Sequence, residues 1–289
     1  MRMVLVSLAF LLLSCGSEKP QDFESLRTPI INGQKCLASE FPSSVEILID
    51  ALVDVSPLGV RHIVSQICGG TLIRPDVVLT AAHCLDENEI TQGFGRMLKL
   101  RFAVISDLNL KTFRQGRQIP KYAVWASKWV MHEQYGEEVS AQGTGLQKDN
   151  DIGLLFLSKA LSVPPAQILS PMEQQFLTQG SVVNIVGWGQ QAVESEQQDS
   201  KTALSKMCAQ TRINELGEFE IQVGSDAQSA RKCFGDSGGA SYLTLPNGEQ
   251  RLIGVTSHSY DSEGCTKGGV DTRVDAYWNW IHDTINHGL

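Results

Sequence analysis

Three short stretches of this sequence bring together residue types suited to acyl transfer. In Cys233-Phe234-Gly235-Asp236-Ser237-Gly238-Gly239 a single serine stands in a run of glycines, where few packing reasons account for it. Glycine lets a backbone N–H approach a ligand oxygen closely, so the N–H groups of Gly235 and Ser237 form a candidate pair of donors for an anionic tetrahedral intermediate. Asp236, between them, needs a partner of its own if it is buried. Thr80-Ala81-Ala82-His83-Cys84 sets a histidine beside a cysteine directly after the apolar run Val77-Val78-Leu79, and Asp149-Asn150-Asp151-Ile152-Gly153-Leu154-Leu155 sets two acids ahead of another. A serine hydroxyl is a weak nucleophile until a base takes its proton, and an imidazole oriented by a carboxylate is such a base.

The segment Gly235 to Gly239 also fits G-x-S-x-G, the nucleophile elbow of α/β-hydrolases, which would make the chain an esterase. That fold places its acid and histidine after the serine, among βαβ units. Here 52 residues follow Ser237 and no βαβ alternation is visible, so the partners of Ser237 are expected upstream.

The elements that must position these residues read as short strands separated by turns: Val45 to Ile49, Ile63 to Ile67, Val77 to Thr80, Leu98 to Ile105, Val182 to Gly187 and Leu252 to Ser257. In the fourth, Leu98, Leu100, Phe102 and Val104 alternate with Lys99, Arg101 and Ala103, the period of a half-buried strand. Near the end Val274, Tyr277, Ile281 and Ile285 fall at three- and four-residue steps, the stripe of an amphipathic helix. Asp50 to Arg61 and Gln134 to Lys148 read as surface insertions, and Gln190 to Ser200 as an exposed loop open to nicking. Many short strands with a closing helix predict an all-β chain of two barrels.

With 24 Lys and Arg against 32 Asp and Glu, the net charge is −8, which gives no basic face for nucleic acid or an anionic membrane. Met1 to Ser14 carry Arg2 and then an apolar run too short to span a bilayer, the pattern of an export signal. Leu12-Leu13-Ser14-Cys15-Gly16 resembles a bacterial lipobox, whose cysteine becomes lipid-modified and anchors the exported chain before activation, with plain secretion as the alternative. Gly16 to Pro29 is then a polar tether or propeptide. The seven cysteines are odd in number, and setting Cys15 aside leaves six for three disulfides in an oxidising compartment. Six cysteines admit fifteen pairings, which counting cannot separate.

G-D-S-G-G around Ser237, T-A-A-H-C around His83 and the D-I-x-L-L pattern at Asp151 together resemble the trypsin/chymotrypsin family of serine endopeptidases, as does Gly187-Trp188-Gly189. The resemblance runs from Ile30 to about Ile285, the protease domain being expected over 30–289. It implies two packed antiparallel six-stranded Greek-key barrels with a C-terminal helix, a triad of His83, Asp151 and Ser237, and an oxyanion hole of the Gly235 and Ser237 amides. It also implies disulfides Cys36–Cys208, Cys68–Cys84 and Cys233–Cys265. Ile30-Ile31-Asn32-Gly33 is similar to the start of the family's mature enzymes, whose freed amino group pairs with the aspartate before the nucleophile, here Asp236. Pro29 departs from the usual Arg or Lys before that cut.

For specificity the resemblance places Arg231 at the base of the primary pocket, with Lys232 beside it. The pocket would also be lined by Phe234, Ser257, His258, Ser259, Gly269 and Asp271, where Asp271 is the expected partner of Arg231. A cation there disfavours Arg and Lys substrates and favours acidic or other non-basic ones. No cofactor and no metal is implied. The expected partners are protein or peptide substrates, an activating protease and an inhibitor, with membrane contact only through a lipid on Cys15. A chain of this family that had become an inactive binding protein would be expected to lack a triad member, and none is lacking.

Overall fold

The computed structural model describes residues 30–37, 39–106, 118–137, 144–188, 205–225, 228–261 and 264–287. The leader, Cys15, the tether, Gly189 and the loop Gln190 to Ser200 lie outside them.

After a short β1 (Gln34–Lys35), six strands close a first barrel: β2 (Ser44–Asp54), β3 (Val60–Arg74), β4 (Val77–Thr80), β5 (Arg96–Ile105), β6 (Val124–Met131) and β7 (Gly153–Leu157). Their order around it is β2-β3-β4-β7-β6-β5, with β5 returning to β2. A second barrel holds β8 (Val182–Gly187), β9 (Met207–Leu216), β10 (Glu220–Val223), β11 (Ala240–Thr244), β12 (Gln250–Asp261) and β13 (Gly264–Arg273). It runs β9-β10-β13-β12-β11-β8 and closes through β8–β9, with β1 added beside β9. The named strands pair antiparallel throughout, which removes the α/β-hydrolase reading.

Closing six strands into a barrel requires them to bend, and register shifts at Ile47/Leu48 on β2 and Ser241/Tyr242 on β11 supply bends. Alternation fills the interiors: Val45, Ile47, Leu72, Phe102, Val104 and Leu154 are buried in the first barrel. Val183, Ile185, Ile213, Ile221 and Ile253 are buried in the second. In β5 the expected face is buried except at Leu98, and the opposite face is buried too at its end, where Ala103 and Ile105 pack on Leu48.

The segment Asp50 to Arg61 is not an insertion. Asp50 to Asp54 pair with Val64 to Val60, continuing the β2–β3 hairpin, with Ala51 and Val53 buried between acidic residues that disguise the period. A short helix α1 (Glu87–Thr91) follows His83, and the closing helix is α2 (Trp278–His287). Ile281 and Ile285 of α2 are buried, as are Val274 and Tyr277, which precede the helix.

Candidate active site

Strand β4 delivers His83 to the edge of the first barrel, and the turn that carries it is tied to β3 by the Cys68–Cys84 disulfide. Asp151 arrives just before β7, the neighbour of β4, which sets the two side chains together. His83 Nδ1 lies 2.7 Å from Asp151 Oδ2, and the His83 backbone N–H donates to Oδ1 at 2.9 Å. Ser257 Oγ, from β12, donates to Oδ2 at 2.6 Å. An ionised carboxylate only accepts, so Nδ1 carries the ring proton and Nε2 presents its lone pair.

Burial disfavours charge on both groups, but their mutual attraction outweighs it. The His83 imidazole is pushed above the ordinary histidine value, and Asp151, helped by hydrogen bonds from His83 and Ser257, is held below the usual carboxylate range. Asp149 points to a different environment: burial and the Asp151 charge push its carboxyl up. Of the two acids in the motif, the structure places Asp151 against the histidine.

The loop before Asp151 is clamped by residues that sequence patterns did not single out. Asn150 sits at φ 54°, accepts the Tyr277 hydroxyl at 2.9 Å and donates to Gln134 O at 2.9 Å. Thr272 Oγ1 donates to Asp151 O at 3.0 Å. Glu220, 1% exposed on β10, accepts the N–H groups of Gln147 and Asp149, and burial pushes its carboxyl up to about 8. A hydroxyl or acid of this kind carries no local motif, so only the fold reveals it.

Ser237 comes from the second barrel, in the loop before β11, and docks on the first: Gly69 N donates to Ser237 O at 2.8 Å. Gly238 has φ 72°, and a Cβ there would fall 2.3 Å from both Gly69 O and Thr80 Oγ1, the latter three residues before His83. The glycine is what lets the Ser237 loop sit against the histidine turn. Gly235 has φ 92°. Among the described residues nothing accepts a hydrogen bond from the Gly235 or Ser237 N–H, and none joins Ser237 Oγ to His83 Nε2, which lies 3.6 Å from Cys84 Sγ.

Asp236 is fully buried, and its Oδ2 accepts from Ile30 N at 3.1 Å and Cys233 N at 3.0 Å. Room for that carboxylate depends on Gly187, where a Cβ would lie 1.9 Å from Asp236 Oδ1. The other two disulfides join Cys36 to Cys208 and Cys233 to Cys265, as the family resemblance implies. Cys68, His83 and Cys84 are a grouping of metal-ligand types, but its two sulfurs are bonded to each other.

The pairing expected beneath the site is corrected. Asp271 meets Lys232, with Nζ at 2.9 and 3.1 Å from its two oxygens. Arg231 instead donates to backbone carbonyls, Nε to Cys265 O and Nη1 to Ser229 O, while its own backbone bridges to Ile31. Successive side chains of an extended segment point to opposite sides, so the inward cation is Lys232. Ser257, His258 and Ser259 lie on β12, where His258 faces Val270 and Ser259 faces Gly269 of β13 in register. Phe234, three residues before Ser237, is 69% exposed.

Two closed six-stranded antiparallel barrels with a C-terminal helix define the trypsin fold. The chain belongs to this family, whose model, described as Trypsin, matches residues 30–281. It is 29% identical to chymotrypsin-like elastase family member 1 of Macaca fascicularis, covering 96% of this chain and 97% of that one. It is 26% identical to duodenase-1 of Bos taurus, over 76% of this chain and 79% of the relative. Against chymotrypsin of Phaedon cochleariae it is 26% identical, over 87% and 80%. No helix among the described residues is long and apolar enough to cross a membrane.

Proposed function

We propose that this chain is a serine endopeptidase acting through His83, Asp151 and Ser237, made as a zymogen and not selective for Arg or Lys. The observation that carries the reading is the 2.7 Å contact between His83 Nδ1 and the buried Asp151 carboxylate, which leaves Nε2 as a base. In the family's mechanism Ser237 Oγ attacks the peptide carbonyl while its proton passes to His83 Nε2. The carbonyl electrons move to oxygen, where the Gly235 and Ser237 amides receive them, each donor contributing about 3–4 kcal/mol in comparable enzymes. Collapse breaks the C–N bond, His83 protonates the leaving amine, and an acyl group remains on Ser237. Water then repeats the sequence with the roles of base and acid exchanged, and releases the acid.

Activation is assigned to Ile30 and Asp236. A cut before Ile30 turns its N–H into an ammonium, and Asp236 is placed to neutralise it where an unpaired buried carboxylate costs several kcal/mol. The same cut would release the domain from a lipid on Cys15 of the exported chain. A soluble active form that still begins upstream of Ile30 would contradict both points.

A fluorophosphonate probe tests the central reading. The chain beginning at Ile30 is expected to be labelled on Ser237, with labelling lost in His83→Ala. A folded chain that is not labelled would instead be a binding protein built on the protease fold.

A further inference from the structure

Beneath the nucleophile loop lies a sealed ion pair. The Lys232 and Asp271 side chains are both 0% exposed. Lys232 Nζ contacts both Asp271 oxygens and, at 3.4 Å, Gly239 O. Ser241 Oγ donates to the same carboxylate at 2.5 Å. The pair joins the loop that carries Ser237 to β13, across the interior of the second barrel. Lys232 is fixed at its root by the neighbouring Cys233–Cys265 disulfide and by the Cys233 N–H on Asp236. Asp271 is packed so closely on β12 that a Cβ on Gly254 would lie 2.7 Å from its Oδ2. On the side of the β12 wall, a Cβ on Gly269 would be 3.5 Å from Lys232 Cβ and 3.7 Å from His258 O. The space beneath the Ser237 loop, on the side of Gly269 and His258, is therefore filled by the stem of Lys232, with its charge buried and neutralised.

Resting on the protease reading above, we propose that the Lys232–Asp271 pair closes the floor of the primary subsite, so that the enzyme cuts after small uncharged side chains. The chemistry excludes the alternatives in turn. An ammonium has three N–H donors, and here three acceptors already take them, so none is left for a substrate Asp or Glu. A substrate Lys or Arg finds the Asp271 carboxylate already held by an internal cation. An aromatic side chain needs the volume that the Lys232 stem fills. Burial presses the Lys232 pKa below the ordinary lysine value while Asp271 opposes the shift, consistent with a lysine that water does not reach. Asp271 is then a recognition site for a cation that the chain itself occupies.

The test uses the chain beginning at Ile30, first titrated with a fluorophosphonate and then assayed on peptides varied at the residue before the cut. Wild type is expected to favour Ala, Ser or Val over Asp, Arg and Phe by at least about tenfold in kcat/KM. Lys232→Ala vacates the space beside Asp271 and should acquire cleavage after Lys or Arg, raising that ratio to Ala by about a hundredfold. Lys232→Met removes the charge but fills the space, and should keep the small-residue preference. The double variant Lys232→Ala/Asp271→Ala should accept larger apolar residues and no cations. A titratable wild type that prefers acidic, basic or aromatic residues would overturn the proposal alone. A wild type that cannot be titrated would overturn the protease reading on which it rests.

Discussion

Asp151 and Asp271 are built from the same parts and are proposed to do opposite things. Each is a buried carboxylate that accepts one serine hydroxyl, Ser257 at 2.6 Å or Ser241 at 2.5 Å, and one nitrogen base, His83 or Lys232. The difference is the far side of the base. The His83 side chain is 23% exposed and keeps a second ring nitrogen that does not touch the carboxylate, whereas the Lys232 side chain is 0% exposed and its ammonium is held by Asp271 and Gly239 O. In the proposed mechanism, the carboxylate that orients a partly exposed imidazole supports proton transfer. One that is capped by a buried ammonium shapes a wall. Charge and burial alone do not separate the two pairs; the second face of the nitrogen group does.

The largest effect that would break this comparison comes from Asp151→Asn. Losing the carboxylate removes the tautomer control of His83, and kcat is expected to fall about ten-thousandfold, as in the comparable trypsin substitution. The pH profile sharpens the point. His83 must be neutral to act as a base, and its raised pKa means that wild-type activity is lost as pH falls through a value above 6.5. The residual activity of the variant should retain its acid limb to lower pH. An unmoved limb would mean that Asp151 is not the group facing the imidazole.

On the other side of the comparison, Asp271→Asn strands the Lys232 ammonium and is expected to cost about 3–5 kcal/mol, read from the urea midpoint. A buried lysine with lowered pKa binds fewer protons folded than unfolded, so this loss should shrink as pH rises. Replacing both partners by Met and Leu should recover most of it, because an ion pair exchanged for packed apolar groups is often close to neutral. A loss that persists in the double variant would show that the pair has a further structural role.

Smaller effects separate the two serines. Ser257→Ala should reduce kcat/KM by roughly tenfold, about 1.4 kcal/mol, with little change in stability. Ser241→Ala should cost a similar amount of stability and leave His83 titration unchanged. Equal effects of both on activity would erase the distinction drawn between their carboxylates.

The smallest change at neutral pH is expected from Glu220→Gln. Its carboxyl is pushed up to about 8 by burial, so near neutrality it is mostly uncharged, and Gln can accept the same amides. From its ordinary value near 4.5 to about 8 the folded chain holds a proton that the unfolded chain has lost, and stability therefore falls as pH rises through that window. The variant should have a flatter dependence of Tm on pH between those limits.

Much of this site was legible because its chemistry needs particular residues in contiguous runs. Ser237, His83 and Asp151 lie in motifs where glycine and cysteine neighbours are themselves required by the close approach of β3, β4 and the Ser237 loop. Asp151 was separable from Asp149 only by its place in the motif, and the fold supplies the reason in its contact with His83. Lys232 was misread because it sits next to Arg231 in sequence. Which of two adjacent cations turns inward depends on the Cys233–Cys265 link and on the position of β13, neither of which is local. Strands such as β9 were missed because Gln210, Arg212 and Asn214 interrupt the apolar residues that face the core. Glu220 reads as an exposed strand acid until the loop before Asp151 folds over it.

The most direct measurement is an acid-quenched mass spectrum of the Ile30-started chain taken during turnover of a peptide ester. An adduct of the acyl fragment on Ser237, absent in the Ser237→Ala chain, is the expected result. Turnover that depends on the folded chain but leaves Ser237 unmodified, or places the acyl group on another residue, would contradict the account.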